Sequence, residues 1–208
     1  MTASTVHTGS YDPHAFDALG LVGRLLLTAD GTVTGMLEQI TGERIVAAGL
    51  VHGGQPPIRA AIEFAHPAGA GRLVVRATNL TGSSSGVTYV RARSALVPDA
   101  LPRDLYADLV GTREPIGRLL RRHRVETFRE LLTGRLLVDG ENPDPLDDPA
   151  ASGTDPVRHG PESARVTGAC RTYRLHIGGR PAAVIGEVFT AHCLAACTAD
   201  APVRSDVP

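Results

Sequence analysis

The chain has 208 residues, 42% of them hydrophobic, and a formal net charge of -1. That is the size and balance of one globular domain with its own core, and a near-neutral charge argues against a nucleic-acid binder, which needs a basic field. All 21 basic residues are arginine, and the three cysteines, Cys170, Cys193 and Cys197, form an odd and sparse set that fits a reducing compartment rather than a disulfide scaffold.

The opening residues, MTASTVHTGSYDPHAF, lack a basic region followed by an apolar run, so they do not read as a signal peptide. No stretch reaches the ~20 apolar residues of a membrane span. A cytoplasmic protein without membrane contact is expected, with flexible tails over 1–13 and 200–208 around a single domain over 14–199. Residues 14–28 place Phe16, Leu19, Leu21 and Leu25 to Leu27 at mixed helical spacing, which predicts a short helix. Asp30 and Gly31 then make a turn, and Thr34 is positioned to cap a helix containing Met36, Leu37 and Ile40.

ERIVAAGLVHG reads as a strand, and RAAIEFA as another strand or its extension into a hairpin. GRLVVRATNL and GVTYVRARSALV are two strands joined by the turn-forming TGSSS. The first carries Arg76 in its middle. The second carries Arg91 and Arg93, which a two-residue spacing puts on one face. Residues from Pro98 to Arg124 are helical in one or two pieces, with Pro115 opening the second piece, where its missing N–H costs nothing. VETFRELLTGRLLV is strand-like. The Pro-, Asp- and Gly-rich 139–165 is too long for an ordinary connection and is either disordered or a mobile flap. CRTYRLHIGGRPAAVIGEVFTAHCL closes the chain with two strands about Gly178, Gly179 and Arg180. Strands in hairpin relation with grouped helices predict an α+β domain on a mainly antiparallel sheet.

Several residues could carry chemistry. Glu187 lies in an apolar run, on one strand face with Ile185 and Phe189, and a carboxylate there must be paired. It is either a structural salt-bridge partner or a carboxylate in a closed cavity opposite Arg76 and Arg93. REPIGRLL is either a plain helix start or one whose free N–H groups, at Ile116 and Gly117, meet an anion. His123 is an acid or base, or one member of a solvated basic edge with Arg121, Arg122 and Arg124. His192, Cys193 and Cys197 match no zinc spacing and read better as buried small residues. Dinucleotide, P-loop and nucleophile-elbow signatures are absent from the sequence.

Four segments in order, LLLTADGTVTGMLEQITGERIV, VRARSALVPDALPRDL, EPIGRLLRRHRVETFRE and RTYRLHIGGRPAAVIGEVF, together resemble the chorismate pyruvate-lyase family, in its phenolic-lipid-type branch. The resemblance runs from about Leu21 to about Leu194. It implies a single α+β domain with a sheet of about six antiparallel strands and helices packed on one side. It further implies cofactor-free, metal-free cleavage of chorismate to 4-hydroxybenzoate and pyruvate, in a cavity closed by two helix-containing flaps, in a protein that is often a monomer. Residue by residue, it implies that Arg76 binds the ring carboxylate and that Arg93, rather than Arg91, is the second arginine. Glu187 is implied near the 4-position oxygens, with the Ile116 N–H as a carboxylate donor beside Pro115 and Gly117, and Val33 as a flap residue touching the ligand. The competing class is a small-molecule sensor domain that catalyses nothing. Such domains normally follow a helix-turn-helix, for which the sequence shows no pattern.

Overall fold

The computed structural model describes residues 11–29, 31–53, 73–146 and 165–198. Two helices, α1 (Leu21–Thr28) and α2 (Val33–Thr41), lead into β1 (Ile45–His52). A hairpin follows, β2 (Val74–Gly82) and β3 (Thr88–Leu96), then a 3₁₀ turn and helices α3 (Arg103–Gly111) and α4 (Ile116–Arg122). Strands β4 (Thr127–Val138), β5 (Val166–Ile177) and β6 (Arg180–Thr190) and helix α5 (Ala191–Ala196) complete the chain. The result is one six-stranded sheet in the order β1-β2-β3-β6-β5-β4, antiparallel at every pairing. The expected strand RAAIEFA lies outside the described residues.

Register sorts the side chains. Arg76 pairs with Ser94, Ala92 with Glu187, and Arg171 with Glu187, so these residues share one sheet face with Thr78, Tyr173 and Ile185. The helices cover that face. Leu26, Leu27, Val33 and Leu37 pack with Leu80, Val90 and Phe189, while Leu105, Leu109, Leu119 and Leu120 pack with Leu96, Tyr173, Leu175 and Ile185. Removing one such leucine to alanine typically costs about 2–5 kcal/mol.

Three local expectations change. The first helix is shorter than 14–28: turns occupy the residues about Phe16 and α1 begins only after Gly20. Phe16 is nonetheless buried, its ring filling the space above Gly134, where a Cβ would stand 2.6 Å from the ring. Thr34 is not a cap. The helix starts one residue after Thr32, whose extended backbone marks the boundary, and Thr34 is buried within it. Residues 139–146, the first part of the 139–165 segment, run to the sheet face away from the helices. There Leu146 packs with Ala95 and Val184, and the Pro145 carbonyl lies so close over Gly186 that no side chain fits.

The β2–β3 turn is held by a residue distant in sequence. Glu43 accepts hydrogen bonds from the Ser84 and Ser85 N–H groups, at 2.9 and 3.0 Å, and from the Ser85 and Tyr89 hydroxyls. Bonds from Ser85, side chain first and then backbone, with that of Ser84, hold its carboxyl down at about 2. A depressed carboxylate contributes stability that is full above its unfolded value, ~4.3, and is lost as pH falls through its folded one. Urea midpoints measured from pH 5 to pH 2 should therefore fall less steeply in Glu43→Gln than in wild type. Parallel curves would remove Glu43 from the acid transition.

Candidate active site

A cavity lies between the middle of the sheet and the two helix starts above it. Its floor is Arg76 and Thr78 of β2, Ala92 and Ser94 of β3, Ile185 and Glu187 of β6 and Tyr173 of β5. Its roof is Thr32, Val33 and Thr34 at the start of α2, and Pro115, Ile116 and Gly117 at the start of α4. Arg129 of β4 closes one side. The two roof segments touch: a Cβ on Gly117 would stand 2.8 Å from the Thr32 Cβ, and Arg121 donates to the Thr32 hydroxyl at 3.2 Å. A second tie joins Arg118 of α4 to Glu38 of α2 and to the Ile45 carbonyl.

Arg76 is wholly buried. Its Nη2 donates to the Glu114 carbonyl, which fixes the guanidinium beside Pro115 and Ile116. Its Nε and Nη1 have no hydrogen-bond partner, and among the described residues no carboxylate pairs with it. Burial alone pulls its pKa down to about 10. A buried cation with two idle donors facing a cavity is a place for an anion.

Glu187 is buried in the same wall, but its charge is matched. Arg171 Nε stands 2.8 Å from Oε2, and the Tyr173 hydroxyl donates to Oε1 at 3.3 Å. Burial, then the nearby Glu187 charge, pushes the Tyr173 phenol well above its ordinary value, so it stays a donor. Arg129 donates to the Gly31 carbonyl at 2.9 Å and lies 5.7 Å from the Tyr173 ring centroid.

Arg76, Glu187, Val33, Pro115, Ile116 and Gly117 thus line one cavity. Arg93 does not join them. It pairs with Gly186 in register and with Arg91 faces the opposite side of the sheet, where it meets Asp144 at 2.5 Å. The strand residue that enters the cavity is its neighbour Ser94. One-residue alternation is the whole reason: a side chain one position along points to the other face. Arg93→Ala is accordingly expected to change kcat/KM by no more than about twofold, the effect of ~0.5 kcal/mol typical away from a site. A steady-state assay showing a hundredfold loss would return Arg93 to the site.

The residues that sequence reasoning missed are Arg171, Tyr173 and Arg129. The first two carried an incomplete signal: counting outward from Gly178 and Gly179 brings Cys170 opposite Glu187, and only the register shift between Leu175 and His176 moves Arg171 there. Arg129 had no such signal, because β4 pairs only with β5 at the sheet edge and reaches the cavity through packing. His123 sits on Asp108, at 2.7 Å, away from the cavity. Cys193 is buried and His192 exposed, and among the described residues no group of three or more His, Cys, Asp or Glu could hold a metal. No helix is long and apolar enough to cross a membrane among the described residues.

Fold and site together define an α+β domain with an enclosed cavity, lined by the buried Arg76, on the helix-covered face of its sheet. No protein-family model matches the chain. It is 28% identical over 169 residues to the chorismate pyruvate-lyase of Mycobacterium tuberculosis strain H37Rv, covering 80% of this chain and 78% of that protein. The chorismate pyruvate-lyase of Mycobacterium leprae is 31% identical over 107 residues, 51% of this chain and 50% of that one. The chain is thus similar to chorismate pyruvate-lyases over most of its length. Among solved structures, the effector domain of PhnF from Mycobacterium smegmatis superposes with a TM-score of 0.46 at 14% identity, over 79% of this chain and 91% of that one. The possible transcriptional regulator YydK of Bacillus subtilis gives 0.41 at 11%, over 72% and 58%.

Proposed function

We propose that the protein cleaves chorismate to 4-hydroxybenzoate and pyruvate. The observation that carries this reading is Arg76, a buried guanidinium with no counter-charge among the described residues, lining one cavity with Glu187. Chorismate brings two carboxylates, one on the ring and one on the enolpyruvyl ether. Arg76 and the Ile116 N–H, which a helix start leaves without an intrahelical acceptor, hold the ring carboxylate. Arg129, on the cavity wall, takes the second carboxylate in the place expected for Arg93.

The ether C–O bond breaks, the ring hydrogen at the 4-position is lost, and that hydrogen ends on the methylene carbon of pyruvate. Aromatisation of the ring drives the step, so no nucleophile is needed. The work left to the protein is orientation and stabilisation of charge as the bond breaks. Glu187 lies where a 4-position hydroxyl can be held and a proton passed on.

The enclosed space is about 40 Å³, room for about three water molecules and far below the ~300 Å³ of small-molecule pockets. Substrate therefore enters by parting α2 from α4, against the Arg118–Glu38 and Arg121–Thr32 ties.

Incubation of the purified protein with chorismate tests the reading. Pyruvate and 4-hydroxybenzoate should form in equal amounts. Tight binding of 4-hydroxybenzoate without pyruvate release would make it a binding domain instead, and a different aromatic product would make it a lyase of other regiochemistry.

A further inference from the structure

Arg171 is 2% exposed and does not line the cavity, yet five groups converge on it. Nε meets Glu187 Oε2 at 2.8 Å. Nη1 donates to the Leu27 carbonyl at 2.6 Å, in the last turn of α1, with the Leu26 carbonyl at 3.4 Å. The guanidinium carbon lies 5.2 Å from the Tyr173 ring centroid and 5.4 Å from that of Phe189. Guanidinium is planar and its donors form a rigid fork, so holding Nη1 on helix carbonyls and the group against two rings fixes the direction of the Nε–H, while Nη2 makes no hydrogen bond. That N–H holds Oε2. The other oxygen, Oε1, is then turned to Tyr173 and the cavity.

We propose that Arg171 is a positioning residue for Glu187: it sets the carboxylate's orientation and charge from behind, without touching the ligand, and ties it to the helix that leads into the α2 roof. A purely structural ion pair would not need to be anchored on α1, nor to leave one carboxylate oxygen facing a cavity. For its kinetic consequence this role rests on the lyase reading above.

The test uses Arg171→Met, Arg171→Lys, Glu187→Gln and the double variant Arg171→Met/Glu187→Gln in the full chain. Arg171→Met should lower kcat by about 10²-fold, the scale of a small misplacement at a reacting centre, with KM little changed. Arg171→Lys should recover part of that loss. The double variant, which leaves no charge buried alone and so folds even if Arg171→Met does not, should be no slower than Glu187→Gln. Losses that multiply in the double variant, or an Arg171→Met enzyme with wild-type kcat, overturn the proposal.

A second arm needs no substrate. The infrared carboxylate band that Glu187→Gln removes should shift in Arg171→Lys, and a band unmoved in that variant overturns the proposal even if wild type releases no pyruvate. Failure of wild type to release pyruvate sinks the lyase reading alone.

Discussion

Arg76→Met should give a protein more stable than wild type and far less active. The guanidinium is fully buried, two of its donors are idle, and burial has drawn its pKa to about 10. At ~1.4 kcal/mol per unit, that depression means the folded protein carries the charge, still present at neutral pH, at a cost on the order of 3 kcal/mol relative to the unfolded chain. Methionine has a similar reach and no charge. Replacing an unmatched buried ion with an apolar side chain should raise stability by about 1–3 kcal/mol, a rise of roughly 2–10 °C in Tm for a chain of this size. Activity moves the other way. Losing a charge-assisted contact to a buried carboxylate costs about 2–5 kcal/mol, or roughly 30- to 5,000-fold in kcat/KM. Thermal unfolding without ligand and a pyruvate assay measure the two effects. A variant less stable than wild type would show that Arg76 holds the fold rather than an anion. If a carboxylate ligand supplies the counter-charge, 4-hydroxybenzoate should raise the Tm of wild type and not that of Arg76→Met.

Glu187→Gln should lose both stability and turnover. Its carboxylate faces Arg171 at 2.8 Å with both side chains buried. Glutamine keeps the shape and one acceptor but leaves the Arg171 charge uncompensated, at a cost on the order of 3 kcal/mol. Turnover should fall by at least the 10²-fold expected of a general acid–base group. Urea unfolding and single-turnover kinetics on the same preparation separate the two losses. Near-wild-type turnover in folded Glu187→Gln would take the carboxylate out of the chemistry. The two site residues thus have opposite signs in stability, although both variants should lower activity. Among the described residues Arg76 has no counter-charge, whereas Glu187 is matched by Arg171.

The strands and most helices were legible because their signals are local. Alternation in VVRATNL and in AAVIGEVF, the Gly178–Gly179 turn and Pro115 each act within a few residues. The same local signals placed Arg76 and Glu187 within apolar strands, where a charge needs a reason. Less legible were features settled by competition between neighbours. Thr32 and Thr34 are both capable caps, and Thr32 bounds the helix while Thr34 is drawn into the buried roof. The first part of 139–165 looks like a spacer by composition, but Leu146 finds an apolar niche against Ala95 and Val184.

The sequence by itself determined that an α+β domain would form, that Arg76 and Glu187 would lie in apolar strands, and that Arg91 and Arg93 would share a face, because strand period and apolar patterning are properties of a short stretch of backbone. It could not say which face. That depends on how β3 pairs with β2 and β6 and on which side the helices settle, and a shift of one residue exchanges Arg93 for Ser94 at the cavity. Only the tertiary structure decided that Arg93 turns to Asp144, that Arg171 backs Glu187, and that α2 and α4 close over Arg76, since each requires elements far apart in sequence to meet across the sheet.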